Sequence, residues 1–398
     1  MTNLRTLDGL DVSGKRVLVR VDFNVPMQNG RVTSDTRIRQ AAPTLQELAD
    51  KGAAVIVASH MGRPKGQIVP DLSLEPVADC LRTVMPSADI SFVADSIGEG
   101  AQKASGALAS GQILMLENLR FLPGEEKNDA DVVVALAALA DIYVDDAFSC
   151  AHRAHASVEG VAAKLPAAAG RLMAREIEAL SRALEDPERP LTAVIGGSKI
   201  STKLGVLENL VTKVQYLVIG GAMANTFLYA DGLDVGASLC EPDMADIVTR
   251  IQAEAAAQEC EIILPSDVVT APALEAGIVT RTVTVGDVSN DQMILDIGPD
   301  SVARLSEIFD ASKTVVWNGP LGAFEIPPFD EGTKAAARNV AELTKTGGLM
   351  SVAGGGDTVA ALESANAADA FSYVSMAGGA FLEWLEGRTL PGVAVLQD

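Results

Sequence analysis

Cysteine is scarce in this chain of 398 residues: Cys80, Cys150, Cys240 and Cys260 are widely scattered, and no two are spaced as Cys-x-x-Cys. That distribution suits reduced, buried thiols of a cytosolic protein better than a disulfide framework or a zinc site. Long apolar runs are missing too. No stretch is long enough to span a bilayer, and Met1 to Leu10 holds no apolar core of signal-peptide length. The expectation is a soluble, cytoplasmic protein with no membrane association. Basic residues are outnumbered, 31 Lys and Arg against 53 Asp and Glu, for a formal net charge of -22. Such a field argues against nucleic acid and anionic membrane surfaces as partners. It also makes any cluster of arginines conspicuous. The three histidines, His60, His152 and His155, are not spaced like metal ligands. Polar anion contacts, or packing in the case of His155, fit them better. The segment after the first predicted strand, Val21 to Gly30, lacks Gly-x-Gly-x-x-Gly, which disfavours a nucleotide-cofactor oxidoreductase.

What is present is apolar material, 48% of residues, enough for large cores and for two or three domains. One stretch organises the rest: Leu191 to Ile195 is a short apolar, β-branched run that predicts a buried parallel strand. It stops at Gly196-Gly197, where the backbone can turn sharply and approach a ligand. Ser198 is a candidate N-cap, and Lys199 and Lys203 would then share one face of the following helix. Strand, glycine turn and lysine-bearing helix start make an anion site, most plausibly for phosphate. An ordinary turn with two solvated lysines would look the same.

The first half repeats one pattern: strand, polar residues including an arginine, helix. Lys15 to Val21 ends in Asp22-Phe23-Asn24, with Arg37 and Arg39 following at a helix start. Ala53 to Ala58 opens into Ser59-His60-Met61-Gly62-Arg63, and Ile113 to Leu116 into Glu117-Asn118-Leu119-Arg120. Ile142 to Val144 runs into Asp145-Asp146, with His152 and Arg153 close behind. Alternation of this kind predicts a parallel sheet with helices on both faces, whose strand ends share one edge. Asn24, His60, Arg63, Arg120 and Arg153 would converge there, with Arg37 nearby. A basic pocket in an acidic protein implies a small, multiply charged anion. A helix from Gly170 to Glu185, closed by Pro187 and Pro190, would join two lobes, as a hinge or as a plain connector.

The second half alternates again. Tyr216 to Ile219 ends at Gly220-Gly221, suited to packing against a flat ring or merely to tight strand–helix packing. Further strand ends are Glu261 to Asp267, Met293 to Gly298, Trp317-Asn318-Gly319-Pro320 and Tyr373 to Ser375 before Gly378-Gly379. Gly354-Gly355-Gly356 before Asp357-Thr358 forms a second anion cradle with a carboxylate ready for a metal. Mg²⁺ held by one carboxylate and by substrate phosphates suits such a site. Several glycine turns at one edge, with Lys199, Lys203 and Asp357, point to a polyphosphate nucleotide.

Along essentially its whole length the chain resembles phosphoglycerate kinase. The matching motifs are Val-Arg-Val-Asp-Phe-Asn-Val-Pro (19–26), Ser-His-Met-Gly-Arg-Pro-Lys-Gly (59–66), Glu-Asn-Leu-Arg-Phe (117–121), Asp-Asp-Ala-Phe (145–148) and Ala-His-Arg-Ala-His-Ala-Ser (151–157). Gly-Gly-Ser-Lys-Ile-Ser-Thr-Lys (196–203), Trp-Asn-Gly-Pro-Leu-Gly-Ala-Phe-Glu (317–325) and Gly-Gly-Gly-Asp-Thr (354–358) continue the match. The resemblance implies an α/β protein of two lobes, each a doubly wound, mostly parallel sheet with helices on both faces. A helix would join them, and the active site would lie in the cleft between. Expected boundaries are 1–170 for a phosphoglycerate-binding domain, 171–186 for the helix and 187–380 for a nucleotide-binding domain. Residues 381–398 would return to the first lobe.

By resemblance, 3-phosphoglycerate or 1,3-bisphosphoglycerate would contact Asp22, Phe23, Asn24, Arg37, His60, Met61, Gly62, Arg63, Arg120 and Arg153. Mg-ADP or Mg-ATP would meet Gly197, Lys199, Lys203, Asn318, Pro320 and the turn Gly354, Gly355, Gly356, Asp357 and Thr358. Glu325 would hold the ribose, Gly220 and Gly221 would border the adenine, and Asp357 would bind Mg²⁺. Arg37, Lys199, Gly355, Gly378 and Gly379 would surround the transferring phosphoryl group. The acceptor is a carboxylate already ionised at neutral pH, so no general base is required, and positioning with charge neutralisation remains. Met61 stands where Leu is common, Ile200 where Val is common, and Met376-Ala377-Gly378-Gly379 where Thr and three glycines are frequent. Both glycines nearest the helix remain in that last departure. A monomer is implied by resemblance alone. The rival reading is a non-catalytic, two-lobed binding protein for phosphorylated metabolites, which explains the arginines but leaves Lys199, Lys203 and Asp357 unused.

Overall fold

A computed structural model describes residues 4–397; Met1 to Asn3 and Asp398, which the expected first and last segments include, lie outside the described residues. The chain divides into two compact units, Met1–Ile177 with Thr389–Asp398, and Glu178–Arg388. These limits differ from those expected. The helix Arg171–Leu184 is divided between the units, and the helix Gly378–Leu385 belongs to the second.

The first unit is built on six parallel strands in the order Ile90–Val93, Ile113–Leu116, Ala54–Ala58, Arg16–Arg20, Ile142–Asp145, Ala167–Ala169. The four central strands are almost wholly buried. Burial on both faces is why their sequences read as continuous apolar runs rather than alternating ones. Val17, Val19, Val55 and Val57 pack with Ile38, Leu45, Leu48, Val77 and Leu81 in one core. Arg20 lies opposite both Ala58 and Asp145, so the three strands end level. The loops at Asp22, Ser59 and Asp146 therefore leave one edge of the sheet. The edge strands Ile90–Val93 and Ala167–Ala169 are only four and three residues long, and sequence reading does not find them.

The second unit has its own six parallel strands: Glu261–Ile263, Tyr216–Gly220, Leu191–Gly196, Thr314–Asn318, Met350–Gly354 and Tyr373–Ser375, in that order. Trp317, Phe309 and Phe371 lie in its core. Register again aligns the strand ends, with Gly196 opposite Gly220, Ile195 opposite Asn318 and Gly354 opposite Ser375. A three-stranded antiparallel sheet of Arg281–Thr284, Asp267–Ala271 and Met293–Ile297 is an addition to the expected plan. Met293–Ile297 is thus a strand, but not of the parallel sheet.

Ser198 is not a helix cap. Lys199 is extended at φ -142°, Ile200–Thr202 form one 3-10 turn, and the helix Leu204–Leu210 begins only after Lys203. Ile200 is fully buried, and the Thr202 hydroxyl closes the turn on the Lys199 carbonyl at 2.8 Å. Lys199 and Lys203 consequently do not share a helix face.

Candidate active site

In the first unit the level strand ends gather a basic cluster threaded by hydrogen bonds. Arg37, in the first turn of the helix Thr36–Asp50, pairs with the Asp22 carboxylate and donates to the Asn24 carbonyl at 3.3 Å. The Asn24 side chain accepts from Gly62 N at 3.0 Å. Gly62 O accepts from Arg120 Nη1 at 2.6 Å. Asn118 ties the second and third loops together, its Oδ1 accepting from Met61 N at 3.1 Å and Arg120 N at 3.0 Å. Its amide nitrogen donates to Met61 O at 2.8 Å and Leu72 O at 2.9 Å. Every polar group of that buried amide is used, which fixes the loops.

The positively charged groups crowd one another. Burial first, then Arg20, Arg120 and Arg153, hold His60 well below the ordinary histidine value. Burial likewise depresses the Arg120 guanidinium. His155 is pushed down to about 4 by burial and the same arginines. Among the predicted contacts, Phe23 and Met61 put their side chains into the core, leaving only main chain for a ligand. Arg63 is exposed and has no ion-pair partner among the described residues; Arg153 donates to His152 Nε2 at 3.0 Å.

Sequence reading misses Arg20, which is buried at the end of its strand and bonded to His60, Ser157 and Cys150. An arginine inside an apolar strand was the available signal. Ligand atoms of Asp22, His60 and Cys150 lie within 4.8 Å of one another, a spacing that a metal could use. Arg20 already donates to two of the three, and its fixed positive charge opposes a cation there.

In the second unit two glycine loops pass at backbone contact. A Cβ on Gly196 would stand 1.8 Å from Pro320 O, and one on Gly319, whose φ is +99°, 2.1 Å from Gly196 O. Only glycine permits that approach. Beneath it, Lys203 donates to Gly196 O at 2.5 Å and to Asn318 Oδ1 at 2.6 Å. Asn318 Nδ2 continues to Gly354 O at 2.7 Å, and the Thr358 hydroxyl accepts from Gly319 N at 2.7 Å. The ends of three strands are thereby knitted to the start of the helix Gly356–Ser364, with Gly355 as its N-cap and Asp357 exposed in its first turn. Burial lowers Lys203 to about 8, against a partial recovery from Asp357.

Beside this network lies a cavity of about 380 Å³. Such a volume suits a small-molecule ligand. Of the residues the sequence proposes for the nucleotide, Gly197, Gly221, Pro320, Glu325 and Asp357 line it; Leu239, Leu274, Met293 and Phe324 are lining residues that sequence reading misses. Met293 comes from the unforeseen antiparallel sheet. Lys199 is exposed and outside the cavity lining; Gly378, half-buried, and Gly379, exposed, lie outside it too, at their own helix start.

Comparison with known proteins agrees over the whole length. The family model "Phosphoglycerate kinase" matches residues 7–388. A phosphoglycerate kinase of Ruegeria sp. (strain TM1040) is 60% identical over 393 residues, covering 99% of each chain. That of Zymomonas mobilis is 58% identical over 394 residues, again 99% of each. The solved phosphoglycerate kinase of Coxiella burnetii superposes with a TM-score of 0.91 at 43% identity, over 99% of this chain and 98% of that one. The one from Pyrococcus horikoshii OT3 gives 0.81 at 29% identity, over 99% and 98%.

Proposed function

This chain belongs to the phosphoglycerate kinase family, and from that premise we propose how its residues divide the reaction. The reaction is the reversible transfer of a phosphoryl group between 1,3-bisphosphoglycerate and ADP, giving 3-phosphoglycerate and ATP, a step of glycolysis. No observation favours a non-catalytic binding protein.

The observation that carries the assignment is the second unit's cavity, flanked by glycine strand ends, Lys203 and a helix N-terminus. ADP or ATP would lie there, its ring against Gly220, Gly221 and the apolar wall, its ribose at Glu325. Lys203 would meet the phosphates through its ammonium, and Gly197 and the turn from Gly354 to Thr358 through backbone N–H groups and the helix dipole, with Asn318 and Pro320 bordering them. The donor set fits Mg²⁺: Asp357, an exposed carboxylate at the helix start, suits a hard ion that keeps its waters and takes further oxygens from the nucleotide. Bound there, Mg²⁺ would neutralise phosphate charge. The basic cluster of the first unit would take the phosphoglycerate through Asp22, Asn24, Arg37, His60, Gly62, Arg63, Arg120 and Arg153, with Phe23 and Met61 contributing main chain.

An ionised carboxylate needs no base, so the protein's work is alignment and charge compensation. Arg37 and Lys199 would flank the moving phosphoryl group, with the helix starts at Gly355 and Gly378-Gly379 taking up the remaining charge. Because donor and acceptor would be held by different units, transfer requires a closed state in which both reach the same group. Action as a cytoplasmic monomer belongs to the same proposal; among the described residues no helix is long and apolar enough to cross a membrane.

The test is formation of an acyl phosphate from 3-phosphoglycerate and Mg-ATP, trapped by hydroxylamine as a hydroxamate. Product that requires both substrates and Mg²⁺ is expected. Absence of product from folded protein that still binds 3-phosphoglycerate would refute the assignment of the second unit.

A further inference from the structure

Nothing in that chemistry uses Glu125, Ser157 or Arg20, yet the three form a chain that ends on His60, and each is only 1% exposed. The direction of every proton in the chain is fixed by what its neighbours can do. A guanidinium only donates. Arg20 Nε lies 3.0 Å from Ser157 Oγ, so that oxygen accepts. The hydroxyl's own proton then goes to Glu125 Oε1 at 2.5 Å, while Ser157 N donates to Glu125 Oε2 at 3.1 Å. At the other end Arg20 Nη2 reaches His60 Nδ1 at 3.0 Å. That nitrogen must present a lone pair, which leaves the ring's proton on Nε2. His60 Nε2 makes no hydrogen bond among the described residues and is not sealed from solvent, which leaves it available to a ligand. Ligand atoms of His60 and Asp22 lie within 4.8 Å, which sets the ring beside the Asp22–Arg37 pair.

We propose that Glu125, Ser157 and Arg20 are positioning residues that hold His60 with its lone pair on Nδ1 and its proton on Nε2, so that the ring serves the phosphorylated acid as a directed hydrogen-bond donor and not as one more cation. The proposal rests on reading this unit as the phosphoglycerate site. A protonated ring would turn Nδ1–H against an Arg20 N–H, with Arg120 and Arg153 adding charge of the same sign. Asp22 and Cys150 are the groups of opposite or neutral character at the ring. A fixed neutral donor also keeps its strength across the neutral range, where a free histidine would titrate.

The test uses the full chain labelled with nitrogen-15 at histidine, with the His60 signals identified by their loss in His60→Gln. Long-range proton–nitrogen correlation separates protonated from lone-pair ring nitrogens. The ligand-free protein should show His60 protonated on Nε2 alone from about pH 6 to 8, and 3-phosphoglycerate should shift that nitrogen. Arg20→Met and the milder Ser157→Ala should mix the tautomers and raise KM for 3-phosphoglycerate about tenfold, leaving KM for ATP unchanged. Arg20→Lys, which restores a donor, should recover part of the loss. A wild-type ring protonated on Nδ1, or variants that keep the wild-type tautomer, overturns the proposal. If Arg20→Met does not fold, the wild-type spectrum and Ser157→Ala still decide. A ring in the stated tautomer that 3-phosphoglycerate leaves untouched overturns the donor role together with the reading of the site, and spares the relay.

Discussion

Lys203 holds its charge against burial, which brings it from the ordinary 10.5 down to about 8. The sign of the linkage follows. Between those values the unfolded chain binds the proton and the folded one releases it, so this residue's contribution to stability grows as pH rises from about 8. A nucleotide phosphate at Nζ favours the charged form and lifts the value again. ADP binding at about pH 8 should therefore take up close to half a proton, read by calorimetry in two buffers of different ionisation heat. Lys203→Gln should abolish the uptake; equal uptake in the variant would detach the lysine from the phosphates. Arg37 makes a complementary case, being half-exposed and paired with Asp22. Arg37→Ala should lower kcat by about 10²–10³ while ADP affinity stays as it was, and an unchanged kcat would remove it from the mechanism. Residues of this kind were legible because arginines at strand ends stand out in an acidic chain. Arg20 was not, since inside Val17-Leu18-Val19-Arg20-Val21 it reads as a strand position. Nor were Glu125 and Ser157, whose pairing spans 32 residues of chain and leaves no spacing to read.

Elements show the same division. Buried parallel strands announce themselves as short β-branched runs that stop at glycine or polar residues, and Leu191–Gly196 and Thr314–Asn318 are of that type. The antiparallel strand Arg281–Thr284 is mostly exposed and has one apolar residue, so nothing in its pattern competes with a loop. Missing that sheet hid Met293 and its side of the cavity. The helix start after Gly197 failed for a different reason. Ser-Lys-Ile-Ser-Thr-Lys satisfies a capping pattern, but the burial of Ile200 and the inward pull on the Lys203 ammonium hold a 3-10 turn instead. Gly319→Ala would force a Cβ to within 2.1 Å of the Gly196 carbonyl from a φ of +99°. Backbone cannot yield there as a flexible side chain would. The variant should lose at least about 2 kcal/mol of stability in the second unit and bind ADP weakly. Binding of 3-phosphoglycerate should persist; wild-type ADP affinity would show that the loops have room after all.

At the scale of the whole molecule, each unit owns a hydrophobic core, and the far end of the chain packs on the first unit against the turns Phe148–Cys150 and Ala156–Gly160. Leu390, Val393 and Leu396 are almost fully buried. The segment is stitched in place by Arg5 N donating to Leu396 O at 2.9 Å and Gly392 N to Ala151 O at 2.8 Å. Gly392 packs so closely that an added Cβ would lie 2.9 Å from the Ala151 backbone, one residue before His152 and Arg153. Apolar residues at 390, 393 and 396 were visible in the sequence, but their partner was set by resemblance, because periodicity names a face and not what covers it. Burying one such side chain is worth about 1.5–3 kcal/mol, so losing all three approaches the whole stability of a typical domain, about 5–15 kcal/mol. Truncation after Arg388 should thus unfold or loosen the first unit and abolish 3-phosphoglycerate binding. The second unit, Glu178–Arg388, keeps all of its own residues and should still bind ADP. Leu396→Ala is the graded version, with an expected loss of about 2–5 kcal/mol confined to the transition that 3-phosphoglycerate protects. Calorimetry with each ligand in turn assigns the transitions. A truncated chain that binds 3-phosphoglycerate with native affinity would mean that the first unit folds without its last strand of contacts, and the returning segment would then have to be explained by something other than stability.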